Sequence, residues 1–210
     1  MSVTIMKLML ILGIIGHAMN MYCDYILSVF PNGKLTLKKL KDIKNGDTLS
    51  KLMEGVSANM SVRSIVLEVV GLVLEFLGYF SITAYVYKSS QIYGTIMFLA
   101  ISFFCIVGMA HHTKCCLAEY VFLKLDRVDK AKTLMLQIMD IAPITKLCYV
   151  GYLLFVAILM IVILTGTISF PIWAVIFTIL PIFILLFPLQ IIGTLHISAM
   201  ISMLVWCILI

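Results

Sequence analysis

From Val3 to the last of its 210 residues, the chain is largely a succession of apolar runs. Six of them, at about residues 3–29, 62–87, 91–123, 145–168, 170–190 and 191–210, reach the length of a membrane span. Crossing a hydrocarbon core of roughly 30 Å takes about 20 mainly apolar residues in a helix. Composition agrees: 63% of residues are hydrophobic and 12% charged, against about half and a quarter in soluble domains. A domain of this size cannot enclose so much apolar surface in a core of its own. A soluble enzyme, a disordered chain, a coiled coil and a nucleic-acid-binding module are excluded, so no nucleic acid is expected as a partner. The predicted partner is the lipid bilayer. The predicted fold is all-α, a single membrane domain over 1–210 with six transmembrane helices and amphipathic cytoplasmic connections.

The first run carries His17, Asn20 and Asp24 and is followed by no small-residue cleavage site, so it reads as a retained helix rather than a signal peptide. The six cysteines fall mostly inside apolar runs and form neither a spaced disulfide set nor a CxxC metal motif. In the 170–190 run, Pro171, Pro181 and Pro188 each remove a backbone donor. This segment is therefore expected to be bent, and a re-entrant hairpin over 170–210 is the alternative to two crossings.

Two stretches are polar. In 30–61, Lys34, Lys38, Lys39, Lys41 and Lys44 alternate with Leu35, Leu37, Leu40 and Ile43, the pattern of a basic helix lying on an anionic membrane face. Asn45-Gly46-Asp47 marks a turn, with Asp47-Thr48 at the start of a second short helix. Residues 124–143 repeat the theme with Lys124, Arg127, Lys130 and Lys132. The first connection with Arg63 holds seven basic residues and the second, extended to Lys146, holds five, whereas Lys7 and Lys88 alone occupy the other side. That asymmetry predicts that both connections are cytoplasmic and both termini outside, in a cell membrane.

Charges inside a span cost roughly 2.5–3.5 kcal/mol on insertion scales, so they tend to face the bundle interior and to mark function. Gly13, His17, Asn20 and Asp24 share one face of the first segment, and Ser64, Glu68, Gly71, Glu75 and Gly78 one face of the second. Gly108, His112, Cys115 and Glu119 do so in the third, with His111 beside them; His196, Met200, Met203 and Cys207 form a stripe in the last. These polar faces are expected to reach the same cytoplasmic half of the bilayer. The pocket candidates are His17, Asn20, Asp24, Arg63, Glu68, Glu75, His111, His112, Glu119 and His196. Of these, His17, Asp24, Glu75, His112 and His196 are candidate ligands for a divalent metal, since imidazole and carboxylate suit Zn²⁺ and related ions. The competing reading makes them structural, with Asp24 or Glu68 paired to Arg63.

An acid late in the first helix with a proline soon after (Asp24, Pro31), Arg63 opening the second, Ala110-His111-His112 late in the third and Phe170-Pro171-Ile172-Trp173 opening the fifth form a recognisable layout. It resembles a family of bacterial multi-pass membrane proteins of unknown function. The chain departs from that pattern at Cys23, where glycine is expected, and in its Lys114-Cys115-Cys116 run. The resemblance implies the topology and draws attention to Asp24, Arg63, His111 and His112; it implies no activity.

Three functions fit these residues. One is a pocket that binds or carries a small molecule, an ion or a lipid, although no inverted repeat typical of carriers is visible. Another is a membrane-embedded hydrolase of lipid or peptide, with or without a metal. The last is a non-catalytic subunit or immunity-type protein that acts through helix packing.

Overall fold

The computed structural model describes residues 1–35, 48–140 and 143–210. The predicted basic amphipathic helix across 34–44 and the turn at Asn45-Gly46-Asp47 lie almost wholly outside these. The elements are α1 (Val3–Ser28), β1 (Val29–Phe30), β2 (Gly33–Lys34), α2 (Thr48–Leu52), α3 (Asn59–Ser89), α4 (Gln91–Lys124), α5 (Asp129–Asp140), α6 (Ile144–Leu164), α7 (Ile179–Leu186) and α8 (Thr194–Leu209). The fold is nearly all helix. Among the described residues the exception is a two-stranded antiparallel ribbon, which pairs Val29 with Lys34 and Phe30 with Gly33 about Pro31-Asn32.

Among the described residues, four stretches are long and apolar enough to cross a membrane: Val3–Ser28, Asn59–Ser89, Gln91–Lys124 and Asp129–Leu164, the last owing its apolar part to α6. The expected six are thus four by length, and the 170–190 run, expected to be bent at its prolines, is broken into short pieces. A 3₁₀ turn (Ile172–Phe177) ends at Thr178, whose backbone is extended, and the eight-residue α7 follows before a second 3₁₀ turn (Phe187–Leu189). The prolines account for this. Pro181 sits in the first turn of α7, where its missing N–H would have had no partner, but Pro171 and Pro188 permit only short pieces on either side. After Pro188 the chain reverses through left-handed Gln190 and Gly193 (φ +50° and +73°) into α8.

Contacts along the helices give their directions. Lys88 Nζ donates to Met1 O, Ser81 Oγ to Met6 O, and Cys23 Sγ to Ser64 O, so α1 and α3 run antiparallel along their whole length. α8 starts beside Met21, against which Gly193 packs, and ends where Cys207 Sγ reaches Lys7 O. The 172–209 hairpin therefore spans the level of Lys7 to Met21 and stops short of α1's end at Ser28. Ser90 alone joins α3 to α4, its hydroxyl accepting from Tyr93 N and so satisfying an otherwise unpaired helix-start donor.

There are two cores. The larger runs along the bundle through Leu10, Tyr79, Ile101, Phe155, Leu159 and Met203. The smaller caps one end, where Phe30, Leu49, Leu52, Met53, Phe122 and Met135 cluster. α4 has 34 residues and, at about 1.5 Å each, exceeds the hydrocarbon thickness. Its last turns accordingly belong to the cap. Arg127, one of the basic residues of the second polar connection, fastens that cap: Nε donates to Met53 O at 3.0 Å and Nη2 to Val56 O at 2.6 Å. Ser50 Oγ donates back to Arg127 O. The two polar connections thus fold against each other.

Candidate functional site

Close approach of α1 and α3 comes first. A Cβ added at Gly13 would lie 2.8 Å from Gly78 Cα, and one at Gly16 would lie 2.6 Å from Glu75 N. Gly71 makes room for the Asn20 carboxamide. Only glycine lets the backbones meet at these points, and small residues at such crossings are the usual device where lipid supplies no hydrophobic drive between helices. The result is that the polar stripe of α1 faces the acidic stripe of α3. Met203, in the middle of α8, rests on both Gly13 and Gly78, which holds α8 alongside α1 and α3.

At this junction three helices contribute one group each to a compact centre. His17 Nδ1 lies 2.8 Å from Glu75 Oε1, His196 Nδ1 lies 3.2 Å from the same oxygen, and the two Nδ1 atoms are 3.0 Å apart. Asn20 Nδ2 donates to Glu75 Oε1 at 2.7 Å. On the far side of its ring, His196 Nε2 lies 3.5 Å from Asp24 Oδ2. Side-chain exposure falls along this row from 41% at Asp24 to 14% at His196 and 0% at Glu75. Beyond Glu75 the way is closed by Tyr79, whose ring meets His17 edge-on, and by Leu10, both fully buried.

The donor set suits a metal ion. A tetrahedral Zn²⁺ at about 2.0–2.1 Å from each ligand holds those ligands roughly 3.3–3.4 Å apart, and the triangle observed is only slightly tighter. Ligating imidazoles characteristically give their second nitrogen to a carboxylate, as His196 does to Asp24. Glu75 Oε2 and His17 Nε2 are buried with no hydrogen-bond partner among the described residues. One divalent cation would also balance Glu75 and Asp24 with both imidazoles neutral, which avoids a net charge in a low-dielectric interior.

A second cluster lies nearer the cap end, between α3 and α4. Ser64 Oγ is 3.2 Å from His112 Nε2, and His112 Nδ1 is 3.8 Å from Glu68 Oε1, an ion-pair separation. Ser64 is fully buried and Glu68 and His112 nearly so. The metal-ligand candidate His112 therefore stands apart from His17, Glu75 and His196.

The remaining sequence candidates are dispersed. Arg63 is exposed on α3 and, among the described residues, pairs with neither Asp24 nor Glu68. His111 turns towards α6, its Nδ1 3.0 Å from Thr145 Oγ1. Glu119 accepts from Ser61 Oγ at 3.3 Å, and Lys114 Nζ donates to the Met139 carbonyl at 2.8 Å. Ser64 is the residue that inspection of charge alone passes over. Its place four residues before Glu68 on the same stripe was the signal available.

Stability does not explain these clusters. Interhelical hydrogen bonds in membranes are worth about 0.6 kcal/mol on average, whereas burying an ionised carboxylate costs several kcal/mol. By sequence the chain belongs to a family of unknown function (DUF6796), whose pattern it matches over residues 1–209. No curated protein and no solved structure matches it.

Proposed function

We propose that this protein is a multi-pass membrane protein that binds one divalent transition-metal ion of the Zn²⁺ class at His17, Glu75 and His196. The observation that carries the reading is the triangle of 2.8, 3.0 and 3.2 Å among two imidazole nitrogens and one carboxylate oxygen from three different helices. Asp24 orients His196 and forms the outer end of the route by which the ion arrives. Three protein ligands leave a fourth position for a small exogenous ligand, the arrangement of open rather than purely structural zinc sites. Closure beyond Glu75 by Tyr79 and Leu10 favours a binding site over a through-route for carriage.

The topology proposed with it has four full crossings and two shorter segments, 170–190 and 191–210, that enter the bilayer as a hairpin. Six segments in this sense keep both termini on one side, outside a cell membrane, and put the basic connections and the mouth at Asp24 in the cytoplasm. Elemental analysis of the purified full-length protein tests the metal. About one equivalent of a divalent transition metal is expected, removed by chelation and absent from H17A, E75A and H196A. Metal-free wild-type protein whose melting temperature does not respond to added Zn²⁺ would sink the reading.

A further inference from the structure

The proposed metal centre leaves Ser64, His112 and Glu68 unused, although they stand in the order of nucleophile, base and acid. One nitrogen of the His112 ring faces a hydroxyl at 3.2 Å and the other a carboxylate at 3.8 Å. Helix geometry supplies the alignment: Ser64 and Glu68, four residues apart, project from the same side of α3 towards His112 on α4. The Ser64–His112 separation is close to the hydrogen-bond reach at which a base takes a hydroxyl proton, and such contacts tighten when substrate binds. Both Glu68 and His112 keep 11% side-chain exposure, so the base is not sealed inside the helix bundle.

We propose that Ser64 is the nucleophile, His112 the general base and Glu68 the positioning acid of an acyl-transfer centre that hydrolyses an ester bearing a long acyl chain. Location selects the substrate class. Ser64 lies five residues into α3, which begins at Asn59, hence roughly 8 Å along the axis. With the 31 residues of α3 centred on a hydrocarbon core of roughly 30 Å, that is the level at which hydrocarbon gives way to headgroups and the ester groups of membrane lipids lie. A phosphoryl substrate fits less well, because among the described residues no lysine or arginine contacts Ser64 and the neighbouring Arg63 points outwards.

In the reaction, Ser64 Oγ bonds to the ester carbonyl carbon as its proton passes to His112 Nε2. The tetrahedral adduct breaks its bond to the alcohol oxygen, which takes that proton and leaves an acyl-serine. Water attacks the acyl carbon while His112 accepts its proton. The bond to Ser64 then breaks, Ser64 recovers the proton and a carboxylic acid departs. Glu68 holds the imidazole ring and offsets its positive charge while it carries the proton.

The test uses the full-length protein in phospholipid nanodiscs with a long-chain alkyl fluorophosphonate, and the modified residue is located by mass spectrometry. A single adduct on Ser64 is expected, none in S64A, and labelling slowed about 100-fold or more in H112Q. E68Q should label about 10-fold more slowly and E68D should recover most of that loss, a rescue that a purely structural carboxylate would not produce. No adduct on Ser64 in wild-type protein, or H112Q reacting at the wild-type rate, overturns the proposal. Bound metal is measured on the same samples. Metal without adduct defeats acyl transfer alone, and adduct without metal defeats the metal reading alone. If S64A fails to fold, the wild-type adduct site and the H112Q and E68D rates still decide.

Discussion

The two polar clusters are both built around histidine and glutamate and differ in geometry. At His17, Glu75 and His196 three helices send their groups to one point, so that two nitrogens share a single carboxylate oxygen. At Ser64, His112 and Glu68 two helices place the groups in a line, with an imidazole between a hydroxyl and a carboxylate. Convergent donors suit a cation, which gathers lone pairs around itself; a linear series suits the passage of a proton. The difference teaches that a count of histidines and carboxylates in membrane helices carries little chemistry until the number of helices meeting at each group is known.

Substitutions can break this contrast. The largest effect is expected from E75A, which removes the ligand shared by both histidines. Metal should disappear from the purified protein, whereas S64A, H112Q and E68Q should retain the wild-type amount. Loss of metal from H112Q would merge the two clusters into one and defeat the distinction. D24N tests the outer contact to His196. Weakening of metal affinity by about 10–100-fold is expected from the loss of a carboxylate behind a ligating imidazole, readable by competition with a chelating dye.

Two further changes address the framework. G16A pushes a methyl group to 2.6 Å from Glu75 N, so the helices must part; a cost of about 1–3 kcal/mol should appear as a lower melting temperature together with weaker metal binding. R127A should destabilise the cap by about 1.5–3 kcal/mol, as expected for lost hydrogen bonds from a charged group. That loss should leave metal content unchanged, and protease sensitivity near Met53 reports it. The smallest effect is expected from T145A. Its contact with His111 joins neither cluster, and a change within about 1 kcal/mol, with metal and labelling intact, would confirm that His111 stands outside both.

Much of the helical framework was legible in the sequence because apolar length alone defines a membrane helix. α1, α3 and α4 begin and end within a few residues of the runs that predict them. The faces were legible too, since Glu68 and Glu75 lie seven residues apart and must share a side of α3. Failure came where local chemistry competed with apolarity. Three prolines, which announced a bend in 170–190, split it further into an eight-residue helix between two 3₁₀ turns, and Pro31-Asn32 closed a small ribbon where a connection was expected. Arg127 looked like a solvated cation and instead bonds two carbonyls of the other connection. Nothing in one-dimensional spacing could say which carbonyls would come within its reach.

The sequence by itself determined the solvent, the helical character and the side of each helix that carries charge. These follow from the transfer free energies of individual residues and the fixed period of a helix, both local properties. Partnership was decided only by tertiary structure. His17 meets Glu75 rather than Glu68 because Gly13, Gly16, Gly71 and Gly78 set the sliding register of α1 on α3. His196 joins them because left-handed Gly193 turns α8 in beside Met21. His112 is left to Ser64 and Glu68 because α4 brings it to the same stripe of α3 about two turns nearer the cap than Glu75. A slip of one turn would move each group by about 5.4 Å, enough to dissolve both clusters without altering a single feature of the sequence pattern.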